Sequence, residues 1–166
     1  MCMSISINIS KKELIVDKEN RNYAPKYKNN VWKFQVVVNL LGQVSHISGP
    51  FFGRCSDTTI FRATNPYVPR GMYILGDKAY VSNPRVLPPI KESDRHVSAA
   101  NRLLFNCRMG HYRSRVEHAI RWLKTWGITA GRWRCRKVHR LGHAVRVIAS
   151  LRSIMTSIEV PYAPDC

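Results

Sequence analysis

A chain of 166 residues with 45% hydrophobic content is long enough for one domain with its own core, and too apolar for a disordered segment. Its 27 lysines and arginines against 10 aspartates and glutamates give a formal charge of +17 at pH 7, which calls for a polyanionic partner, with nucleic acid ahead of a membrane surface. No apolar run approaches the roughly 18 residues of a membrane span, no basic amphipathic helix stands apart from the core, and Met1 to Ser10 has no basic leader followed by a long apolar stretch. A soluble, intracellular, single-domain protein is expected.

In chain order, Glu13 to Asp17 reads as a short buried strand ending in an acid, and the polar Asn20 to Asn30 stretch with its proline reads as a connection. Val31 to Leu40 is rich in β-branched and aromatic residues, Gln43 to Ser48 alternates apolar with polar, and Leu41-Gly42 between them suits a tight hairpin. Three consecutive antiparallel strands are thus predicted. Ser56 is a good N-cap for a short crossover helix through Arg62, with Asp57 in its first turn. Met72 to Gly76 forms a further buried strand with Asp77 at its carboxyl end, where open α/β sheets bind ligands. Pro84, Pro88 and Pro89 mark a loop, with Val86-Leu87 as a short strand within it. Helix is expected at Ala99–Phe105, again from Cys107 to Trp126, and finally from Leu141 to Ile158, where Val145, Ile148, Ala149, Leu151 and Ile154 are available for packing.

In the long helix, Tyr112, Val116, Ala119, Ile120 and Leu123 fall within one arc at roughly 100° per residue and predict a core-facing stripe. Glu117 lies at the edge of that stripe, with Arg113, Arg121 and Lys124 on its side of the helix. It is the only acid between Asp94 and Glu159, in a stretch that carries twelve arginines. Two readings fit it: an ion pair with Arg113 or Arg121 worth a few tenths of a kcal/mol, or a carboxylate kept for chemistry. Asp17 ends one strand, Asp77 another 60 residues on, and Glu117 follows 40 residues later on a helix. Elements in that order are able to gather three carboxylates over a mixed sheet. Such a cluster suits Mg²⁺, which takes oxygen ligands, and two ions would serve phosphodiester transfer.

The basic excess would then hold a DNA backbone near those acids. Arg132, Arg134, Arg136, Lys137 and Arg140 read as a phosphate track or a nuclear localisation patch, with a solvated basic loop as the alternative. Trp122, Trp126 and Trp133 are of the type that stacks on bases, although Trp122 and Trp126 at helical spacing also suit packing. The five cysteines form no CxxC pair, so reduced structural thiols are expected. His139 and His143, four apart on a helix, lack a third ligand of matching spacing.

Several strings resemble a known family. Val36–Asn39, Gly42, Ile47-Ser48-Gly49-Pro50 and Gly53, followed by Ser56-Asp57-Thr58-Thr59-Ile60-Phe61-Arg62, are similar to the mid-region of Harbinger-type DDE superfamily endonucleases, the transposase family. Leu75-Gly76-Asp77-Lys78-Ala79-Tyr80 resembles that family's second-aspartate motif. Phe105-Asn106, then Arg113-Ser114-Arg115-Val116-Glu117, resembles its Asn and Arg-x-x-x-Glu helix, and Leu123-Lys124 and Trp133-Arg134 continue the likeness. It spans Phe34 to Arg134, some three-fifths of the chain.

The resemblance implies an α/β, RNase H-like mixed sheet flanked by helices. It also implies metal-dependent DNA cleavage and strand transfer in the nucleus, with two divalent cations, Mg²⁺ or Mn²⁺. The catalytic and metal-binding acids would be Asp17, Asp77 and Glu117. The family's first aspartate maps onto Asp17, but Lys18-Glu19 stands where small residues usually follow it, and Glu19 is an alternative ligand. Asp57 matches a family acid usually preceded by histidine, here Ser56; it is either a further metal ligand or a helix-dipole partner.

DNA-binding residues would be Arg113, Arg121, Lys124, Arg132, Arg134, Arg136 and Lys137. Full transposases of this type tend to carry an upstream helix-turn-helix segment that has no counterpart here. The expectation is an isolated catalytic portion, incomplete at its N-terminus or served by a separate DNA-binding protein or domain, with homo-oligomers open. The rival readings are a catalytically inactive, domesticated derivative and a basic nucleic-acid-binding module whose acids are structural.

Overall fold

The structure is a computed structural model, and it describes residues 2–8, 23–24, 29–77, 80, 83–135 and 137–158. Strands β1 (Cys2–Asn8), β2 (Tyr23–Ala24), β3 (Asn29–Val38) and β4 (Val44–Phe52) form an antiparallel sheet in which β3 pairs with all the others. Helix α1 (Asp57–Thr64) comes next, then the two-residue strands β5 (Ile74–Leu75) and β6 (Val86–Leu87). Helices α2 (Ala99–Leu123), α3 (Gly127–Ala130) and α4 (Val138–Ile158) complete the chain.

The unbroken Val36-Val37-Val38 run is the mark of a strand covered on both sides, and β3 is covered on both sides. Phe34, Val36 and Val38 join Val116, Ala119 and Leu123 of α2 and Leu141, Val145, Ile148 and Ala149 of α4 in the larger core. Val37, on the opposite face by alternation, packs with Phe61, Ile74, Tyr80 and Val86. Gln35 is fully buried, and its carbonyl oxygen accepts a 2.7 Å hydrogen bond from the Thr64 hydroxyl at the end of α1. The result is a mixed α/β architecture with helices α2 and α4 on one face of the sheet and α1 with the β5–β6 pair on the other.

The hairpin between β3 and β4 turns on Asn39, whose side-chain oxygen accepts from the amides of Leu41 and Gln43, both at 3.0 Å. Gly42 there takes a φ of 83°, a value open to glycine. Further along β4 the register shifts between the Lys33 and Gln35 pairings. Gly49 sits in that irregularity with φ 136°, and a Cβ on it would lie 2.6 Å from Phe34 Cδ1 and 2.8 Å from the Lys33 carbonyl oxygen. Helix α4 closes over this strand: Gly142 lies against Pro50, and the Ser153 hydroxyl accepts from the Val44 amide and donates to the Val44 carbonyl, each at 3.1 Å.

Several expectations change. The strand that pairs along β3 is Cys2–Asn8, whereas the strand expected at Glu13–Asp17 lies outside the described residues. The expected strand at Met72–Gly76 shortens to Ile74–Leu75. Among the described residues it pairs in parallel with β6 rather than with the main sheet, because Met72 and Tyr73 face solvent. The two helices expected from Ala99 are one. Ser98 caps it by accepting from the Asn101 amide, and Asn106, read as a break, bonds sideways instead. Helix α4 begins at Val138, and its Leu151 and Ile154 remain 38% and 56% exposed rather than packed. The stripe of Val116, Ala119 and Leu123 is buried as expected, and α1 starts after the Ser56 cap. No helix among the described residues is long and apolar enough to cross a membrane.

Two glycines provide a contrast for measurement. Gly49→Ala adds strain at a positive φ and a clash with backbone, and should cost about 1–3 kcal/mol in urea unfolding. Gly110→Ala, in the middle of α2 with open space around it, should instead stabilise by about 0.5–1 kcal/mol. A neutral Gly49→Ala would contradict the close packing of β4 on Phe34.

His46, in β4, is partly buried with no hydrogen-bond partner for Nε2 among the described residues, and desolvation holds its imidazole below the usual 6.5. The unfolded chain therefore takes up this proton before the folded one does, so the contribution of His46 is present above pH 6.5 and is lost as pH falls below it. Thermal melts from pH 7.5 to 5 should show a declining Tm, with a shallower decline in His46→Gln. An identical pH profile in that variant would exclude the effect.

Candidate active site

Asp77 follows β5 after one intervening residue, Gly76. Its position is fixed from behind by Gly76, where a Cβ would collide with Val86 Cγ1, and ahead by the Tyr80 amide, which donates to the Asp77 carbonyl at 2.9 Å. The carboxylate stays 48% exposed, and its Oδ1 lies 3.7 Å from Arg113 Nη1 on α2. That ion pair joins the layer on one side of the sheet to a helix of the other. Glu117 stands one helical turn after Arg113 and is exposed, while its neighbour Val116 is completely buried. Val116 thus fixes the rotation of α2, and Arg113, Glu117, Arg121 and Lys124 run along one arc of its surface. Arg121 and Lys124 are exposed, and Arg113 is half-buried.

Asp57 has a different setting. It opens α1 and lies 3.4 Å from Lys33 Nζ, which also donates to the Cys55 carbonyl at 2.8 Å, so the carboxylate neutralises a lysine of the central strand. Among the described residues, no three His, Cys, Asp or Glu side chains form a group able to hold a metal ion. Asp77 and Glu117 do provide carboxylate oxygens, the donor chemistry that hard divalent cations take. Asp17 and Glu19 lie outside the described residues, as does Arg136. Strand β1, which occupies the place beside β3, contains no acidic residue.

On the basic segment, Arg132, Arg134 and Lys137 are exposed, but Trp133 between them is 9% exposed and belongs to the larger core. Trp133 is therefore a packing residue, which corrects its reading as a base-stacking platform. Trp122 and Trp126 meet edge to face at 5.6 Å, with Trp122 half-buried.

Asn106 has a role that sequence reasoning missed. Its oxygen accepts from the Ile90 amide and its nitrogen donates to the Ile90 carbonyl, both at 3.0 Å, clasping the loop after β6 onto α2. The available signal was a lone amide within an apolar stretch, placed after a proline-rich loop with unpaired backbone to satisfy.

Fold and charge define a strongly basic α/β domain with a strand-end aspartate set beside a helix that bears arginine and glutamate. Its sequence from residue 2 to residue 152 matches the family described as DDE superfamily endonuclease, and the chain belongs to that family. The match extends beyond Phe34 to Arg134 on both sides, taking in β1 and most of α4. No curated protein and no solved structure matches the chain.

Asn106→Ala removes both bonds of the clasp. Tryptic cleavage after Lys91 and Arg95, followed by mass spectrometry, should accelerate several-fold, with about 1–2 kcal/mol lost in urea unfolding. An unchanged cleavage rate would mean that other interactions hold the loop.

Proposed function

We propose that this domain is a DNA endonuclease core of the transposase type, hydrolysing phosphodiesters and transferring strands, with an RNase H-like arrangement of its sheet. The observation that carries the reading is the contact between Asp77, at the end of β5, and Arg113, one turn before Glu117 on α2. Those residues belong to the strings that resemble the second-aspartate and Arg-x-x-x-Glu motifs.

In this reading Asp77 and Glu117, completed by Asp17, hold two Mg²⁺ or Mn²⁺ ions, which supply charge stabilisation to the attacking and leaving oxygens. The remaining work belongs to the chain itself. Arg113, Arg121 and Lys124 draw the scissile backbone against the carboxylates and offset the repulsion between phosphate and acid. Arg132, Arg134, Arg136 and Lys137 extend the phosphate track. Asp57, engaged by Lys33, is the weakest candidate for a ligand. The partner is DNA, reached in the nucleus, with sequence recognition left to a separate DNA-binding protein or domain or to a homo-oligomer.

A second reading has a specific observation behind it: β1 contains no acid, and Asp77 forms an ion pair with Arg113. A catalytically inactive derivative that keeps the fold and binds DNA by charge would look like this. Supercoiled plasmid incubated with the protein and Mg²⁺ or Mn²⁺ separates the two. Endonuclease function predicts nicking that falls at least 100-fold in Asp77→Asn and Glu117→Gln, on the order of removing a group essential to the chemistry. Nicking unchanged in both variants would refute the site. Absence of nicking, no calorimetric heat with either metal and steeply salt-dependent DNA binding would establish the inactive derivative.

A further inference from the structure

Helix α4 buries Leu141, Val145, Ile148 and Ala149, yet its outer face is also apolar. Val147 is 60% exposed and Ile158 76%, with Leu151, Ile154 and Met155 between 38% and 56%. At 100° per residue, Val147, Leu151, Ile154 and Ile158 fall within roughly 60° of arc, on the side away from Val145 and Ala149. Their successive spacings of four, three and four residues are those of a coiled-coil seam, the a and d positions of a heptad.

In a chain of formal charge +17, this stripe holds no cation. The positions that flank it, Ser150 and Ser157 on one side and Ile148 and Met155 on the other, are uncharged. The two arginines of the same stretch of helix are directed elsewhere. Arg152 lies over the Trp122 ring of α2 at 5.7 Å, and Arg146 donates to the Gly49 carbonyl of β4 at 3.4 Å. A nucleic-acid backbone has no charge to meet on such a surface. An anionic lipid surface is gripped by helices whose apolar face is bordered by lysine or arginine, and here serine takes that place.

We propose that this face of α4 is an interface between two copies of the chain, which pack their α4 helices antiparallel along the stripe. The spacing reads the same in both directions, so a two-fold axis between Leu151 and Ile154 sets Val147 against Ile158 of the second copy and Leu151 against its Ile154. Each contact then occurs twice, as a closed two-fold interface demands. Uncharged flanking positions spare the seam the like-charge repulsion that so basic a chain would otherwise bring to it. About half of each of five large apolar side chains makes a contiguous patch of a few hundred Å², the size at which exposed apolar surface marks an interaction site. Two such patches with their rims reach the roughly 1,000 Å² at which a specific interface begins.

The test is sedimentation equilibrium of the full chain, freed of nucleic acid and metal, across a concentration series that extends to several hundred micromolar. The mass should rise from monomer to dimer, and the rise should come at lower concentration in 0.5 M than in 0.1 M NaCl, because salt screens the repulsion between the copies. Val147→Gln/Ile154→Gln, which adds no charge to an exposed helix face, should weaken the dimer about tenfold or more while melting like the wild type at a concentration where both are monomeric. A wild-type chain that stays monomeric throughout would overturn the proposal, as would a dimer of equal strength in the folded Gln variant. Monomers that co-sediment with phosphatidylcholine and phosphatidylserine vesicles, with binding lost in the Gln variant, would assign the stripe to a lipid surface and overturn it too. Neither DNA nor metal enters the measurement and neither Asp77 nor Glu117 is altered, so its outcome is independent of whether the chain nicks plasmid.

Discussion

Everything in this domain hangs on the burial of β3 from both sides. A strand without a solvent face has to be apolar at nearly every position, which is why Phe34 and Val36 to Val38 form an almost continuous run. Its buried polar side chain, Gln35, has its Oε1 met by the Thr64 hydroxyl, while its Nε2 has no hydrogen-bond partner among the described residues. Because the two faces are served by different elements, α2 and α4 on one and α1, β5 and β6 on the other, β3 fixes their relative placement. The Asp77 to Arg113 ion pair and the Asn106 clasp are the polar ties between those layers. Neither would form if the hydrophobic faces did not first set the layers in place, since a partly exposed ion pair contributes under about 1 kcal/mol.

Much of this arrangement was legible because it depends on local chemistry. The β-branched run of β3, the Gly42 turn, the Ser56 cap and the Val116, Ala119, Leu123 stripe each declare themselves within a few residues. The losses occurred where tertiary partners decide. Strand β1 alternates serine with isoleucine from Ser4 to Ile7, a period-2 strand pattern only four residues long, and its seven-residue extent shows in its pairing with β3. Asn106 resembles a helix breaker until Ile90 is seen beside it. Leu151 and Ile154 belong to the same apolar pattern as Ile148, but at that point α4 turns Ser153 and Ser157 toward β4 and its hairpin and leaves the two apolar residues exposed.

The candidate site divides in the same way. The strings around Asp77 and Glu117 were readable, and their elements came out as a strand end and a helix. What the sequence could not supply was the link of Asp77 to Arg113, 36 residues away. Nor could it reveal that the strand beside β3 lacks an acid. Spacing pointed to Asp17 as a strand-end residue, and that position lies outside the described residues. The arginines were visible as a charge, but their division between two flanks of α2 depends on how Val116 sets the helix rotation.

The Ser153 bridge to Val44 also bears on the far edge of β4. Among the described residues β4 pairs only with β3, so its far side is a row of backbone groups of the kind that recruits strands from other chains. A single hydroxyl from α4 meets both the donor and the acceptor of the first residue in that row, and Arg146 reaches the Gly49 carbonyl further along the strand. At Val44, therefore, a strand from another chain would have to displace an internal hydrogen bond before it could add to β4.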